Sequence, residues 1–578
     1  MSGSLRIGLG QHSEAGRKSV NQDFHGATLP TGSLLRTKGI AVALADGIGS
    51  SAVSQLASAA AVRGFLDDYY CSAESWSVRR AAQCVLAATN SWLHAQTQRG
   101  DGRFDKDRGH VCTFSALVFK GREVHLLHVG DTRVYRLHPA ALEQLSDDHR
   151  VHVSSVETYL GRALGVGPRV EVDYARWNAE PGEIYLLATD GAYDYLDASA
   201  VHAALAAQAG DLQAAAEALV AEALARGSQD NVTLQLVRVE ALPAALPHQL
   251  PGQREGLALP PPLRPRMSFE GYTIVRELHV SPRSHVFLAL DEASGRQVVL
   301  KTPSVDLREN LAYLDRFVLE EWVARRIDSP HVLKAVVTER PRRHLFVALE
   351  YIEGQTLSQW MTDHPKPTLD SVRRIVSQIA KGLQALHRKE MLHQDLRPAN
   401  VMIDRQGTVT LIDLGATHVA GLSEGTGEAG ALALVGELQY AAPEYFTGDG
   451  GSVASDLFSL AVLSYQMLTG RLPYGLQVTQ VRGPRDLHRL QYEPVRTRRP
   501  ELPAWLDAVL RKALHPQAAR RQGALSEFMH DLSAPGPQFM GRQNAPLLER
   551  NPLAFWRTLA LLASLATLLL LALRAGGH

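Results

Sequence analysis

Three acidic pairs stand far apart along the first part of this 578-residue chain: Asp46-Gly47, Asp190-Gly191 and Asp230-Asn231. Further on come Lys301, Asp395, Asn400 and Asp413. Carboxylates on turns at strand ends can be gathered at one edge of a sheet, where a hard divalent cation takes oxygen ligands. Glycine after the aspartate lets the backbone approach such an ion, and its carbonyl can itself be a ligand. The second set offers a cation for nucleotide phosphates, chelators for Mg²⁺ and a base for an attacking hydroxyl, the parts that phosphoryl transfer needs. One constellation suits metal-assisted removal of phosphate and the other its transfer. A single Asp-Gly is weak evidence, because most are hairpin turns. The ordered series is the signal.

Positioning both sets takes more than one hydrophobic core, since a chain of this length exceeds what one core supports. Residues 241–266 (ALPAALPHQLPGQREGLALPPPLRPR) break every periodic pattern with proline and read as a semi-rigid linker. They separate a domain at 1–240 from one at 267–535, followed by a juxtamembrane spacer at 536–551 and a last segment at 552–573. In the first domain GIAVALADG, VCTFSALVF, VHLLHVGD and EIYLLATDG read as strands ending in turns. Ala-rich helices are expected at 52–70, 77–98 and 210–226, so the pattern is α+β in layers. The second domain opens with YTIVRELHV, HVFLALD and QVVLKT, then a charged helix at 311–327, strands to Ile352, and mostly helices. A small β-rich lobe feeding a larger helical one is the implied plan.

Lys+Arg and Asp+Glu are equal at 60 each, so no overall basic field invites nucleic acid. Cys71, Cys84 and Cys112 form an odd set without CxxC spacing, which reads as reduced, intracellular protein without structural zinc. The N-terminus has no apolar h-region of a signal peptide. From Thr558 to Leu573 the chain runs TLALLASLATLLLLAL without charge. That run reaches about 24 Å as a helix; extended back to Pro552, with Arg557 snorkelling, it reaches about 33 Å against a hydrocarbon core of about 30 Å. A single-pass C-terminal anchor is expected, with a buried or oligomerising helix as the alternative. Arg542, Arg550 and Arg557 before the run and Arg574 after it place both large domains in the cytoplasm.

The motifs NQD (Asn21–Asp23), ADGIG (Asp46–Gly49), CTFSA, HVGDTR (Asp131–Arg133), ATDG (Asp190-Gly191) and SQDNVT (Ser228–Thr233) occur in that order. The series resembles the metal-dependent PPM/PP2C protein phosphatases over residues 5–240, which implies an αββα sandwich. By the resemblance, Asp46, the Gly47 carbonyl, Asp190 and Asp230 hold a pair of Mn²⁺ or Mg²⁺ ions. Asp131 serves an additional metal, and Asp23 stands with this set, orienting metal-bound water. A metal-bound water of lowered pKa attacks phosphorus directly, so no phosphoenzyme is needed. Two departures stand out. Gln22 replaces a usual Glu, and the phosphate-binding Arg falls on Lys18, with Arg17 beside it; Lys lacks the bidentate fork. The flap segment Ser146–Gly165 also reads as shortened.

Downstream, VVLK (Val298–Lys301), HQDLRPAN (His393–Asn400), DLG (Asp413–Gly415) and APE (Ala442–Glu444) resemble the eukaryotic-like Ser/Thr protein kinases over about 269–530. The resemblance implies a two-lobed kinase fold in which Lys301 anchors the ATP phosphates and pairs with Glu320, or with its neighbour Glu321. Asp395 is then the base, Arg397 lies near the γ-phosphate, and Asn400 and Asp413 chelate Mg²⁺. Asp456 and Arg520 or Arg521 look like structural ion-pair partners. The nucleotide loop, His279–Ser284, contains no glycine; Pro282 lacks an N–H, leaving Ser281, Arg283 and Ser284 as substitute contacts. Glu437 stands where a Thr is usual. Thr417, Ser423 and Thr426 are candidate phosphorylation sites.

The whole resembles bacterial PP2C–kinase fusions: a bifunctional signalling enzyme that removes phosphate from Ser/Thr proteins and adds it from Mg-ATP. Expected partners are Ser/Thr protein substrates, its own kinase domain among them, ATP, and a membrane through the C-terminal helix, with no nucleic acid. The alternative is a phosphatase regulated by a nucleotide-binding pseudokinase, motivated by the glycine-free loop. The linker spans up to about 80 Å extended or nearer 30 Å as a coil, and tethering makes one domain about millimolar to the other.

Overall fold

The computed structural model describes residues 4–105, 108–139, 141–152, 158–243, 257–307, 310–338, 340–422, 438–534 and 556–564. They gather into two compact units, one of Met1–Glu353, Ala385–His393 and Asp413–Leu432, the other of Gly354–Gln384, Gln394–Ile412 and Ala433–His578.

The first unit begins with strands β1 (Arg6–Glu14) and β2 (Phe24–Thr28), helix α1 (Gly32–Thr37), β3 (Ile40–Ala45), and helices α2 (Ser54–Cys71) and α3 (Val78–Arg99). Strands β4 (Phe114–Lys120), β5 (Glu123–Val129), β6 (Arg133–His138), β7 (Ala141–Gln144), β8 (Arg150–His152), β9 (Thr158–Leu160), β10 (Asp173–Asn178) and β11 (Ile184–Ala188) follow. Helices α4 (Asp190–Tyr193), α5 (Ala198–Ala207) and α6 (Leu212–Ala225) then lead to β12 (Val232–Ala241). Two antiparallel sheets result, ordered β1-β12-β11-β6-β7 and β10-β5-β4-β3-β2.

Strand alternation decides what each residue covers. Tyr185 and Leu187 point between the sheets with Val42, Leu44, Leu117, Phe119 and Val237, whereas Leu186 and Ala188 face α5 and α6 with Leu234 and Leu236. On the other sheet α2 supplies the cover, Phe65 meeting Phe114 edge-on at 5.1 Å. Fully burying each such side chain contributes about 1.5–3 kcal/mol. Side-chain caps fix several helix starts: Ser77 accepts from Arg80 N, and Asp211 from Gln213 and Ala214 N. The layers are the expected αββα sandwich.

Register then explains the site. Phe24 is paired with Ala45, Leu44 with Ser115, and Phe114 with Val129, so Asp23, Asp46 and Gly130-Asp131 follow or precede strand ends on one edge. In the other sheet Glu14 pairs with Val232 and Ala188 with both Leu234 and Arg133, which puts Asp190 and Asp230 at one edge as well.

The same unit continues with β13 (Ser268–Phe269), β14 (Tyr272–Val280), β15 (Ser284–Asp291), β16 (Gln297–Pro303), α7 (Leu311–Arg326) and β17 (Val347–Glu350), the strands forming one antiparallel sheet in that order. Phe269, Tyr272, Phe287, Leu300 and Phe346 are its core. Asn310 caps α7 by accepting from Tyr313 N. The second unit is mainly helical, with a three-stranded sheet of Gly354–Thr356, Val401–Asp404 and Val409–Leu411. Its helix Val453–Thr469 is buried nearly all round, as a core helix must be.

The expected membrane helix over 552–573 is described only at residues 556–564, which are helical. That stretch extends about 14 Å, under half a hydrocarbon core. Among the described residues no helix is long and apolar enough to cross a membrane. Arg542, Arg550, Arg574, Ser423, Thr426 and Glu437 lie outside the described residues, and Thr417 is buried.

Candidate functional site

At the edge of the sandwich, buried Asp23 accepts from Thr189 Oγ1 at 3.0 Å. Burial pushes its carboxyl up to about 6, partly opposed by hydrogen bonds from Thr233, Asp46 and Thr189 and reinforced by Asp190. Burial likewise raises Asp46 well above the ordinary carboxylate range, and Asp23, Asp190 and Asp131 add to it. Asp190 is pushed up to about 6 by burial, then by Asp131 and Asp230. Carboxylates so close together resist ionisation, an imbalance that a divalent cation relieves, so the donor set fits a hard metal. Among the described residues no three His, Cys, Asp or Glu side chains are closed into a ligand cage. Two members are engaged by cations instead: Asp131 Oδ2 lies 2.8 Å from Arg150 Nε, and Asp230 Oδ1 lies 3.1 Å from Lys18 Nζ.

Gly47 and Gly191 are required sterically. A Cβ at Gly47 would stand 2.8 Å from Gln22 O and the Ser54 backbone, and one at Gly191 2.0 Å from Asn231 O. Gln22 uses its amide where a carboxylate would fail: Nε2 donates to Ser51 O and to Ser54 Oγ, each at 2.8 Å. Asn231 clasps the loop that carries the two basic candidates, donating to Ala15 O and Val20 O and accepting from Gln22 N. Lys18 therefore faces the carboxylates, while Arg17 turns to Gln229 Oε1 at 3.2 Å.

In the β13–β17 sheet, Lys301 Nζ lies 2.7 Å from Glu320 Oε2 and 2.8 Å from Asp413 Oδ1. Burial would lower the lysine, but Glu320 and Asp413 more than offset it and hold it charged. The Lys301 ammonium holds Asp413 at about 2 against burial. Asp413 takes φ +61, a left-handed conformation uncommon for a non-glycine residue. Glu321, the other candidate on α7, is bound bidentately by Arg342 at 2.9 Å.

The glycine-free loop closes on itself. Ser281 Oγ accepts from Ser284 N at 3.0 Å and from Arg283 N at 3.3 Å, and Tyr313 of α7 donates to Arg283 O. Ser281 and buried Ser284 thus serve the turn, and their backbone N–H groups are not splayed outward as a glycine loop's would be.

In the second unit Asn400 Nδ2 donates to Asp395 O and Oδ2, both at 2.9 Å, and Arg397 Nε lies 3.5 Å from Asp395 Oδ2. The loop is anchored from below, where buried Asp456 accepts from Gln394 N at 3.1 Å. Of the two late arginines it is Arg521 that pairs, bidentately with Glu444 at 2.7 Å. Sequence reasoning missed Arg150, Thr189, Thr233 and Asn231 as supports. Thr189, Asn231 and Thr233 carried a signal by lying within the ATDG and SQDNVT motifs, whereas Arg150 carried none.

Residues 11–226 match the family model described as protein phosphatase 2C, and residues 273–532 that of the protein kinase domain. The serine/threonine-protein kinase PknJ of Mycobacterium tuberculosis is 30% identical over 275 residues, which are 46% of this chain and 45% of that protein. The serine/threonine-protein kinases PknA of Corynebacterium glutamicum are 31% identical over 196 residues, 33% of this chain and 41% of theirs. The chain spans less than half the length of these relatives. Among solved structures, the M. tuberculosis PknI kinase domain (27% identity, TM-score 0.36) aligns with 47% of this chain and 99% of its own. The catalytic domain of the phosphatase PstP in complex with two manganese ions (25% identity, TM-score 0.33) aligns with 41% of this chain and all of its own.

Proposed function

From a chain that carries a PP2C domain and a protein kinase domain on one polypeptide, we propose a bifunctional signalling enzyme. The kinase domain adds phosphate to Ser or Thr of proteins from Mg-ATP, and the PP2C domain removes it. The observation that carries the kinase half is buried Lys301 bonded both to buried Glu320 and to the part-exposed Asp413, the charge arrangement that receives nucleotide phosphates and a chelated cation. Asp395 accepts the substrate hydroxyl proton; Asn400, held to Asp395, and Asp413 offer oxygen to Mg²⁺; Arg397 balances phosphate charge.

In the phosphatase half, Asp46, the Gly47 carbonyl, Asp190 and Asp230 are the residues to hold Mn²⁺ or Mg²⁺, with Asp131 at a further position. A metal bound there would lower the pKa of its water and so supply hydroxide as the nucleophile near neutral pH. Asp23, kept in place by Thr189, is the residue that would orient such a water, and Lys18 would meet the phosphate charge.

A second reading, phosphatase under an ATP-binding pseudokinase, is favoured by one feature: the nucleotide loop spends Ser281 on its own turn. One assay tests the phosphatase that both readings share, and a second separates them. Mn²⁺-dependent hydrolysis of a phosphopeptide should vanish with Asp190→Asn. Label transfer from ATP to a protein substrate should appear in Asp46→Asn protein and vanish with Asp395→Asn; its absence from both leaves the pseudokinase. The apolar run Thr558–Leu573 supports a C-terminal membrane anchor, which resistance to alkaline extraction from membranes, lost on deleting 552–573, would test.

A further inference from the structure

Helix α7 carries two opposed faces. Glu320 points to Lys301, and Trp322, about 200° further round the helix, points away from it. Trp322 is fully buried and donates through Nε1 to Asp68 O at 3.2 Å, its ring 6.1 Å from that of Trp76. One turn on, Arg326 Nε lies 2.6 Å from Asp68 Oδ2, both side chains almost wholly buried, with the guanidinium 4.9 Å from the Trp322 ring. Cys71 Sγ reaches Arg325 O at 3.8 Å. Asp68 and Cys71 lie on α2 and Trp76 just before α3, all in the sandwich, and these partners share one compact unit with α7.

Helix α3 meets the segment that leaves Asp413. Gly421 follows Asp413 closely in sequence, with φ +84, and a Cβ there would stand 2.6 Å from Ala87 O and 2.5 Å from Ser91 Oγ. Nearby, Arg99 Nη2 donates to Glu390 Oε1 at 2.8 Å. The stretch leaving Asp413 thus runs against α3 as α7 runs against α2. A buried ion pair and two interlocked indoles are costly to break, because either charge left alone in the interior keeps its desolvation penalty.

We propose that helices α2 and α3 of the phosphatase domain are a positioning element of the kinase. Asp68 and Trp76 hold α7, and the α3 surface holds the segment after Asp413, so that Glu320 and Asp413 both reach Lys301. Phosphoryl transfer then depends on the presence and docking of the phosphatase domain and not on its hydrolytic activity. The inference rests on the kinase reading above.

The test uses the full chain in an Asp46→Asn background, so that label is not erased. Asp68→Arg and Arg326→Asp should each lower the rate of label transfer at least tenfold, and the two together should return it to within threefold. In a Glu320→Gln parent, Asp68→Arg should add less than a twofold loss, because both act through one pair. Phosphopeptide hydrolysis by Arg326→Asp with natural Asp46 should stay unchanged, which also reports folding; Asp68→Asn and Arg326→Lys give a milder arm if a reversal unfolds the chain. Folded single variants that transfer at the parental rate, or losses that the swap leaves in place, overturn the proposal. If the parent transfers no label, the kinase reading has failed, and amide exchange over residues 314–326 decides the positioning claim. Exchange accelerated tenfold or more by Asp68→Arg supports it, and unchanged exchange refutes it.

Discussion

Glu320 and Glu321 are adjacent on α7, yet each is committed to a different cation. Glu320 Oε2 lies 2.7 Å from Lys301 Nζ, whereas Arg342 grips both oxygens of Glu321 at 2.9 Å. One carboxylate belongs to the phosphate site and its neighbour to the architecture behind it. Glu320→Gln should therefore lower phosphoryl transfer by roughly thirtyfold, about 2 kcal/mol, with little change in melting temperature. Glu321→Gln strands the buried Arg342 and should destabilise the fold by about 3 kcal/mol while the surviving folded protein transfers normally. Rates and melting curves of the two variants check the division of labour.

Gln22 makes a falsifiable point about the phosphatase edge. Its Nε2 donates to Ser51 O, and a carboxylate there would face that carbonyl without a proton. Gln22→Glu should cost about 1–3 kcal/mol of stability, read as a lower melting temperature. An unchanged melting temperature would show that the amide's bonds contribute nothing.

Lys18 is about 40% exposed and its bond to Asp230 is a surface pair, so it adds little to stability. Its value lies in meeting phosphate. Lys18→Ala should raise KM for a phosphopeptide roughly tenfold with the melting temperature unmoved, and Lys18→Arg should bring KM back to the natural value or below it.

Lys38 predicts a pH effect. It is buried beneath the α2 C-terminus, donating from Nζ to Ser72 Oγ and Ala73 O, both at 2.7 Å. Burial, then Lys120 and Arg325, lower it from an ordinary 10.5 to about 7, with Glu74 and Glu321 offsetting a part. Between those values the unfolded chain keeps a proton that the folded chain has shed, so stability rises with pH above about 7; below it this group gives no slope. From pH 7 to 9 the stability of natural protein relative to Lys38→Met should climb by at most about 1.4 kcal/mol per pH unit. A flat difference would contradict the assignment.

The motifs were legible because each sits at a strand end or short turn, where local sequence and site coincide: Asp46 closes β3, Asp190 follows β11, and Asp230 precedes β12. The apolar runs GIAVALADG, VCTFSALVF, VHLLHVGD and EIYLLATDG, ending in turns, likewise carried the sandwich. What sequence did not carry is long-range choice. Glu320 and Glu321 are equivalent until Arg342 is placed. Ser281 offers a hydroxyl to a phosphate as readily as to its own turn, and the structure gives it to the turn. Asp68 and Trp322 read as ordinary members of an Ala-rich helix and a charged one, and their contact across more than 250 residues leaves no local pattern.

Phosphate per chain at steady state, by intact mass spectrometry after incubation with Mg-ATP and Mn²⁺, tests the opposed chemistries most directly. Natural protein should carry little phosphate, Asp46→Asn should accumulate it, and Asp46→Asn with Asp395→Asn should carry none. Equal, empty spectra for all three, with nucleotide still bound, would contradict a writer and an eraser on one chain.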